Sequence, residues 1–136
     1  FVLALTSNPE GAGVQHARGA DGRSVAAGVV EGVTASNAAA RAAGVLGDVG
    51  LVIGATTGGA VAGLGLDLLG SGGPLLAPGV GAQGAGAAEL EAVFGPARSQ
   101  VLASTSRGVL RAGPDVGALR AAAGAASARA ARALRA

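Results

Sequence analysis

The sequence predicts an α/β fold in which a parallel sheet of about four strands is covered by helices. Three observations lead to this prediction: four short apolar runs, helix-like stretches between them, and polar side chains directly after each run. Short apolar runs without alternation are typical of strands buried on both faces. Strands that alternate with helices form βαβ units. Two topologies are then possible, an open doubly wound sheet or half of a closed barrel. The predicted strands cover about residues 1–6, 49–55, 74–78 and 101–104.

Two segments between these strands have the spacing of helices with one apolar face. Apolar side chains three or four residues apart share a helical face. The residues concerned are Val25, Val29 and Val33 in the first segment and Leu90, Val93 and Phe94 in the second. Both segments are therefore predicted to pack as helices against the sheet, and a further short helix is expected within residues 57–69.

The C-terminal stretch is predicted as one long helix. Residues 115–136 are rich in Ala and Arg, which favour helices, and Pro114 suits a first helical turn. Asp115 suits a capping position. The same composition occurs in nucleic-acid and membrane-surface helices, but an outer helix of the fold with a solvated arginine face is the favoured interpretation.

Composition limits the classes of function. The 136 residues include 26 glycines and only two aromatic side chains, so an alanine-rich core buries little area and stability is expected to need further chain or a partner. The net charge of +2 is too small to predict a nucleic-acid binder. No cysteine and a single histidine exclude thiolate and multi-histidine metal sites. No apolar run is long enough to span a bilayer, so we expect no membrane partner and a soluble cytoplasmic protein.

The start of the chain is also informative. Phe1 opens directly on an apolar strand with no lead-in. We therefore expect this sequence to be a piece of a longer protein.

The segments after the first two strands are rich in small polar residues. Thr6, Ser7 and Asn8 come together where the first strand ends, and Thr56 and Thr57 follow the second. In barrels and open α/β sheets, ligands bind at the carboxyl ends of strands. These side chains could hydrogen-bond a polar heterocycle, although plain turns have the same composition.

A glycine-rich loop follows the third strand. The sequence PGVGAQGAG at 78–86 has the Gly-x-Gly-x-x-Gly spacing of a dinucleotide site. That interpretation needs an acidic residue at the end of the next strand, where the sequence instead reads ASTSR. Glycine backbone N–H groups, a following helix and the amide of Gln83 favour a monophosphate site instead.

Arg107 follows the fourth strand, after three hydroxyl residues. Its guanidinium offers a planar fork of donors that matches phosphate oxygens. In barrels the loops after the last two strands commonly form the phosphate site. Because the Gln83 loop and the Arg107 loop follow consecutive strands, we expect Ser7, Gln83 and Arg107 on one rim.

These motifs, in this order, resemble the bacterial type 2 orotidine 5'-phosphate decarboxylases. The matching segments are ALTSNPEG at 4–11 with Val14 and Gln15, GLVIGAT at 50–56, LAPGVGAQGA at 76–85, and STSR at 104–107 with VLRAG at 109–113. They are similar to the fifth to eighth strands and loops of that family. The resemblance implies that residues 1–136 form the C-terminal half of a (β/α)8 TIM barrel, as a half-barrel fragment of the decarboxylase domain.

The resemblance also implies roles for particular residues. Ser7 would hydrogen-bond the pyrimidine, Gln83 and Arg107 would hold the phosphate, and backbone groups of Gly81, Gly84 and Gly108 would assist. The family uses no metal and no organic cofactor, and the complete enzyme is expected to be a homodimer. Its catalytic array of lysines and aspartates lies in the first half of the barrel.

Catalytic residues are therefore not expected in this chain, which contains no lysine. His16 is interpreted as a solvated loop residue, and no acidic residue is placed as a replacement base. Two functions remain open at this point. One is orotidine 5'-phosphate decarboxylase, converting orotidine 5'-phosphate (OMP) to UMP and carbon dioxide. The other is a non-catalytic α/β module that binds a phosphate or nucleotide.

Overall fold

The computed structural model describes residues 1–80 and 85–135 and forms one four-stranded sheet with helices packed against it. The strands are Val2–Leu5 (β1), Leu51–Ile53 (β2), Leu75–Pro78 (β3) and Val101–Ser104 (β4). The α-helices are Pro9–Gln15 (α1), Val25–Ser36 (α2), Ala38–Ala42 (α3), Gly58–Gly63 (α4), Ala87–Phe94 (α5), Arg107–Leu110 (α6) and Val116–Arg135 (α7). A 3-10 helix covers Gly95–Gln100.

The strands lie side by side in chain order, and each neighbouring pair is parallel. Sequential parallel strands joined by helical crossovers are the arrangement of half a (β/α)8 barrel, whereas a doubly wound sheet reverses its strand order at a switch point. The predicted fold class is confirmed, and the half-barrel is the correct one of the two topologies.

The sheet has one buried face and one open face. Leu51, Leu75 and Val101 are in register and buried under the helices. On the other face, Leu3 and Leu102 are 56% and 51% exposed. The prediction of strands buried on both faces is therefore wrong for this chain. In the described part of the chain, no second layer covers the face that carries Leu3 and Leu102, which we call the inner face.

The face of α2 that packs against the sheet differs from the predicted face. Ala26, Val30 and Val33 are buried, whereas Val25 is 45% exposed and Val29 half-buried. A step of four residues turns a helix by about 400°, so residues spaced by four drift by about 40° at each step. Val25 therefore rotates away from the face that Val33 occupies. In α5, by contrast, Leu90, Val93 and Phe94 are all buried, as predicted.

The long C-terminal helix is confirmed. Asp115 caps α7, since its Oδ1 accepts the Ala118 N–H at 2.7 Å, and Pro114 precedes this cap rather than entering the first turn. Ala130, Ala133 and Leu134 pack against the core and the arginines face outward. None of the described helices is both long and apolar enough to cross a membrane.

A buried asparagine joins the segments that lead into β2 and β3. The Nδ2 group of Asn37 donates to the Val49 carbonyl at 2.8 Å and to the Ser71 carbonyl at 3.0 Å, and its Oδ1 accepts the Val49 N–H at 3.1 Å. Because the Asn37 side chain bonds both the N–H and the carbonyl of Val49, these groups do not pair with a neighbouring strand. β2 therefore begins only at Leu51, later than predicted. A Cβ at Gly73 would lie 2.0 Å from the Val49 carbonyl oxygen, so this junction also requires glycine. We refer to these contacts as the Asn37 clamp.

Candidate functional site

The carboxyl ends of the four strands form one continuous rim. The Gly54 N–H donates to the Leu5 carbonyl at 2.9 Å, and the Ala55 N–H donates to the Pro78 carbonyl at 3.0 Å. Pro78 is in turn paired with Ser104 at the end of β4. These bonds place the four following loops next to one another, as predicted from the parallel order.

The loop after β1 presents Ser7 to solvent. Ser7 is exposed and lies between β1 and α1, which begins at Pro9. A Cβ at Gly54 would lie 3.4 Å from the Ser7 backbone nitrogen, so the glycine at the end of β2 lets the two loops approach closely. His16 is exposed at the C-terminal end of α1, which agrees with its interpretation as a solvated residue.

A buried amide holds the start of this loop. The Thr6 N–H donates to Gln15 Oε1 at 3.1 Å, and Gln15 Nε2 donates to Thr6 Oγ1 at 2.8 Å. Sequence reasoning used Gln15 only as part of a motif and assigned it no role. The sequence signal that could have identified Gln15 is its position six residues after Pro9, at the opposite end of the short helix that follows the loop.

The two threonines of the loop after β2 differ in exposure. Thr57 is buried, and its Oγ1 donates to the Gly54 carbonyl at 2.8 Å. Thr56 is exposed on the rim. Only Thr56 of this pair therefore has a hydroxyl that faces solvent.

The loop after β3 turns at Gly79, whose φ of 97° lies in a region that favours glycine. Val80 and Ala85, on either side of the glycine-rich segment, are buried and form an isolated parallel bridge. The predicted residues Gly81, Gln83 and Gly84 lie outside the described residues.

The helix after this loop is held at its start by a carboxylate. Glu89 accepts the Gly86 N–H at 2.8 Å, which satisfies one of the unpaired donors at the beginning of α5. This backbone hydrogen bond lowers the pKa of the Glu89 carboxyl below its ordinary value. The bond supports the point where the glycine-rich segment enters α5.

We expect this bond to be lost on acidification. A carboxyl with a lowered pKa in the folded state stabilises that state above its unfolded pKa, and the contribution disappears as the pH falls through the folded pKa. Titration of the Glu89 carboxyl by 13C NMR should give a midpoint below the ordinary value of about 4.3. A midpoint at or above that value would contradict the hydrogen bond, and Glu89→Gln identifies the resonance.

The loop after β4 brings an arginine to the rim. Arg107 is exposed in the first turn of α6, with Gly108 beside it. A cleft of about 460 Å³ is lined, among described residues, by Arg107, Leu110 and Arg111. Arg111 Nε donates to the Arg107 carbonyl at 3.2 Å, so its side chain folds back toward the start of α6.

The charges of these two arginines are not balanced by a nearby carboxylate in the described part of the chain. Ion pairs occur there between Arg23 and both Asp21 and Glu31, and between Arg98 and Glu91. The cleft at Arg107 therefore has a net positive lining, which suits an anion. The structure thus brings Ser7 and Arg107 to one rim, as predicted.

Comparison with known proteins identifies the relatives of this chain. No protein-family model matches it. It is 60% identical over 123 residues to an orotidine 5'-phosphate decarboxylase of Salinispora arenicola and 59% identical to that of Salinispora tropica. It is 55% identical over 127 residues to the decarboxylase of Streptomyces coelicolor. Each alignment covers 90% of this chain and 42% of the relative.

The fold comparison agrees with the sequence comparison. A crystal structure of a Streptomyces avermitilis protein, assigned as an orotidine 5'-phosphate decarboxylase, superimposes with a TM-score of 0.85 and 51% identity. The superposition covers all of this chain and 45% of the other. The chain thus spans less than half the length of the relatives it matches. The chain is thus similar, in sequence and in fold, to one segment of the orotidine 5'-phosphate decarboxylases.

Proposed function

We propose that this chain supplies the pyrimidine- and phosphate-binding rim of an orotidine 5'-phosphate decarboxylase. The complete enzyme would convert OMP to UMP and carbon dioxide in pyrimidine biosynthesis. The observation that carries the proposal is the 55–60% identity to decarboxylases over 90% of the chain. The alternative, a phosphate-binding module without catalysis, is not favoured because these relatives carry the name of the enzyme.

Two described residues take the binding roles in this proposal. Ser7, exposed beside Gly54, hydrogen-bonds the pyrimidine. Arg107 clamps the phosphate through its guanidinium fork, which the positive lining of its cleft supports. Gln83 and the backbone groups of Gly81, Gly84 and Gly108 complete the phosphate site in the manner that the family resemblance implies.

The chemical step requires groups from outside this chain. Loss of carbon dioxide leaves an electron pair on the pyrimidine carbon, and a lysine must deliver a proton to that carbon. The chain has no lysine, so we assign residues 1–136 to the C-terminal half-barrel and the catalytic array to the other half. We further propose that the complete enzyme is a homodimer, as the resemblance implies, and cytoplasmic, as expected from the sequence.

The test is a chimaera in which this chain replaces the matching 42% of the Salinispora arenicola decarboxylase. We expect the chimaera to release carbon dioxide from OMP and the isolated 136-residue chain to release none, because only the chimaera has the lysine. The remaining segment of the Salinispora protein, tested alone, is the control. Carbon dioxide release by the pure chain would contradict the proposal, as would a folded chimaera that neither binds UMP nor turns over.

A further inference from the structure

We infer that Gln15 is a positioning residue that sets the orientation of Ser7 toward the pyrimidine. The inference rests on the proposed function, which gives Ser7 its ligand. Gln15 lies at the end of α1, is only 7% exposed, and directs both of its side-chain hydrogen bonds to Thr6. Any effect on binding must pass through the loop between β1 and α1.

The amide of Gln15 fixes Thr6 at two points. Its Oε1 accepts the Thr6 N–H at 3.1 Å, and its Nε2 donates to the Thr6 hydroxyl at 2.8 Å. Forming both bonds requires one acceptor and one donor on the same short group, which only an amide provides at this position. Because a buried polar group without partners is costly, the amide and Thr6 hold each other in one arrangement.

The chain of side-chain hydrogen bonds that begins at Gln15 extends to the residues after Ser7. Since the Thr6 hydroxyl accepts from Gln15, its own hydrogen is directed to Asn8, whose Oδ1 accepts it. Asn8 Nδ2 then donates to Glu10 at 3.4 Å. The residues before and after Ser7 are therefore both held by side-chain hydrogen bonds.

Ser7 lies between these two held residues and is exposed. In the described part of the chain its hydroxyl makes no hydrogen bond, while its backbone nitrogen lies beside Gly54. A hydroxyl on a loop fixed at both neighbours is preorganised for a ligand, because little order has to be gained on binding. Release of Thr6 from Gln15 would allow this hydroxyl to adopt several orientations.

Two glycines of α1 provide a matched pair of variants. A Cβ at Gly11 would lie 2.8 Å from Gln15 Nε2 and 3.0 Å from Asn8 Oδ1, so Gly11→Ala must displace these amides. A Cβ at Gly13 meets nothing within 4 Å. Both substitutions favour the helix, since alanine has the higher helix propensity. Only Gly11→Ala disturbs the contact between Gln15 and Thr6.

The test measures ligand affinities of the chimaera by calorimetry. We expect Gln15→Ala to weaken UMP binding by about 5- to 10-fold, the effect of one or two neutral hydrogen bonds, and to leave ribose 5-phosphate unchanged because that ligand has no base. Gly11→Ala should act in the same direction, and Gly13→Ala should have no effect on either ligand. If Gln15→Ala fails to fold, the glycine pair decides the result.

A double-mutant cycle with Ser7→Ala tests whether the effect passes through Ser7. In the Ser7→Ala background, Gln15→Ala should change UMP affinity by less than about twofold, since the two residues act as a unit. Equal effects of Gln15→Ala in both backgrounds, or an equal loss of ribose 5-phosphate, would overturn the inference and leave the proposed function intact. No effect of Ser7→Ala on UMP would instead remove the proposed role of Ser7, and the inference with it.

Discussion

Replacement of Arg107 by alanine in the chimaera is expected to weaken UMP binding by at least about 100-fold. Hydrogen bonds to a charged partner contribute roughly 1.5–3 kcal/mol each, and a bidentate clamp makes two of them. Each 1.4 kcal/mol corresponds to about a tenfold change in affinity. No carboxylate in the described part of the chain pairs with Arg107, so none of these carboxylates competes with the phosphate for the guanidinium.

The contrast between two ligands separates a phosphate clamp from a folding role. Uridine has no phosphate, so its affinity should barely change in the Arg107→Ala variant. A misfolded variant would lose both ligands, whereas a surface arginine without a role would lose neither. Calorimetric titration of UMP and uridine against both proteins measures the contrast, and equal losses would contradict the assignment.

Arg41→Ala is the matched control for charge. Arg41 is exposed on α3 and lies beside Gly72, which precedes β3 and is therefore at the amino ends of the strands. This substitution removes the same unit of charge from the opposite edge of the sheet. We expect it to leave UMP affinity within about twofold, because exposed charges more than a Debye length away are screened.

The strands and the rim were predictable because their signals are local in the sequence. An apolar run such as 49–53 followed directly by Gly54 marks the end of a buried strand, and parallel order then determines which edge the polar residues share. The rim positions of Arg107 and Ser7 were predicted in this way. The face of α2 was not, because alanine at position 26 is buried while Val25, more hydrophobic and adjacent, is exposed.

The buried amides were not predictable for a different reason. Gln15 and Asn37 have the composition of ordinary helix or turn residues, and their partners are distant in sequence: Asn37 bonds Ser71 across 34 positions. Such bonds depend on how the elements pack and leave no periodic signal. The burial of the inner face of the sheet was mispredicted because an apolar strand has the same sequence pattern whether the layer that covers it belongs to this chain or lies outside it.

Loss of the Asn37 clamp is expected to cause the largest change in stability. Asn37 is 2% exposed, and its removal leaves the N–H and carbonyl of Val49 and the carbonyl of Ser71 without their partner. Each buried group left unsatisfied costs about 1–3 kcal/mol. Asn37→Ala should therefore lower the free energy of unfolding of the chimaera by about 3 kcal/mol or more, measured by urea titration. A loss below about 1 kcal/mol would contradict the role of the clamp.

Two further variants test how much of this effect depends on the buried side chain of Asn37. Ser36→Ala removes an exposed hydroxyl that bonds the Gly32 carbonyl at 2.9 Å, and it should change stability by no more than about 0.5 kcal/mol. Asn37→Asp has nearly the same shape but loses both Nδ2 donors and places a buried carboxylate against two carbonyl oxygens. Because the clamp depends on donors, we expect Asn37→Asp at pH 7 to destabilise the protein at least as much as Asn37→Ala.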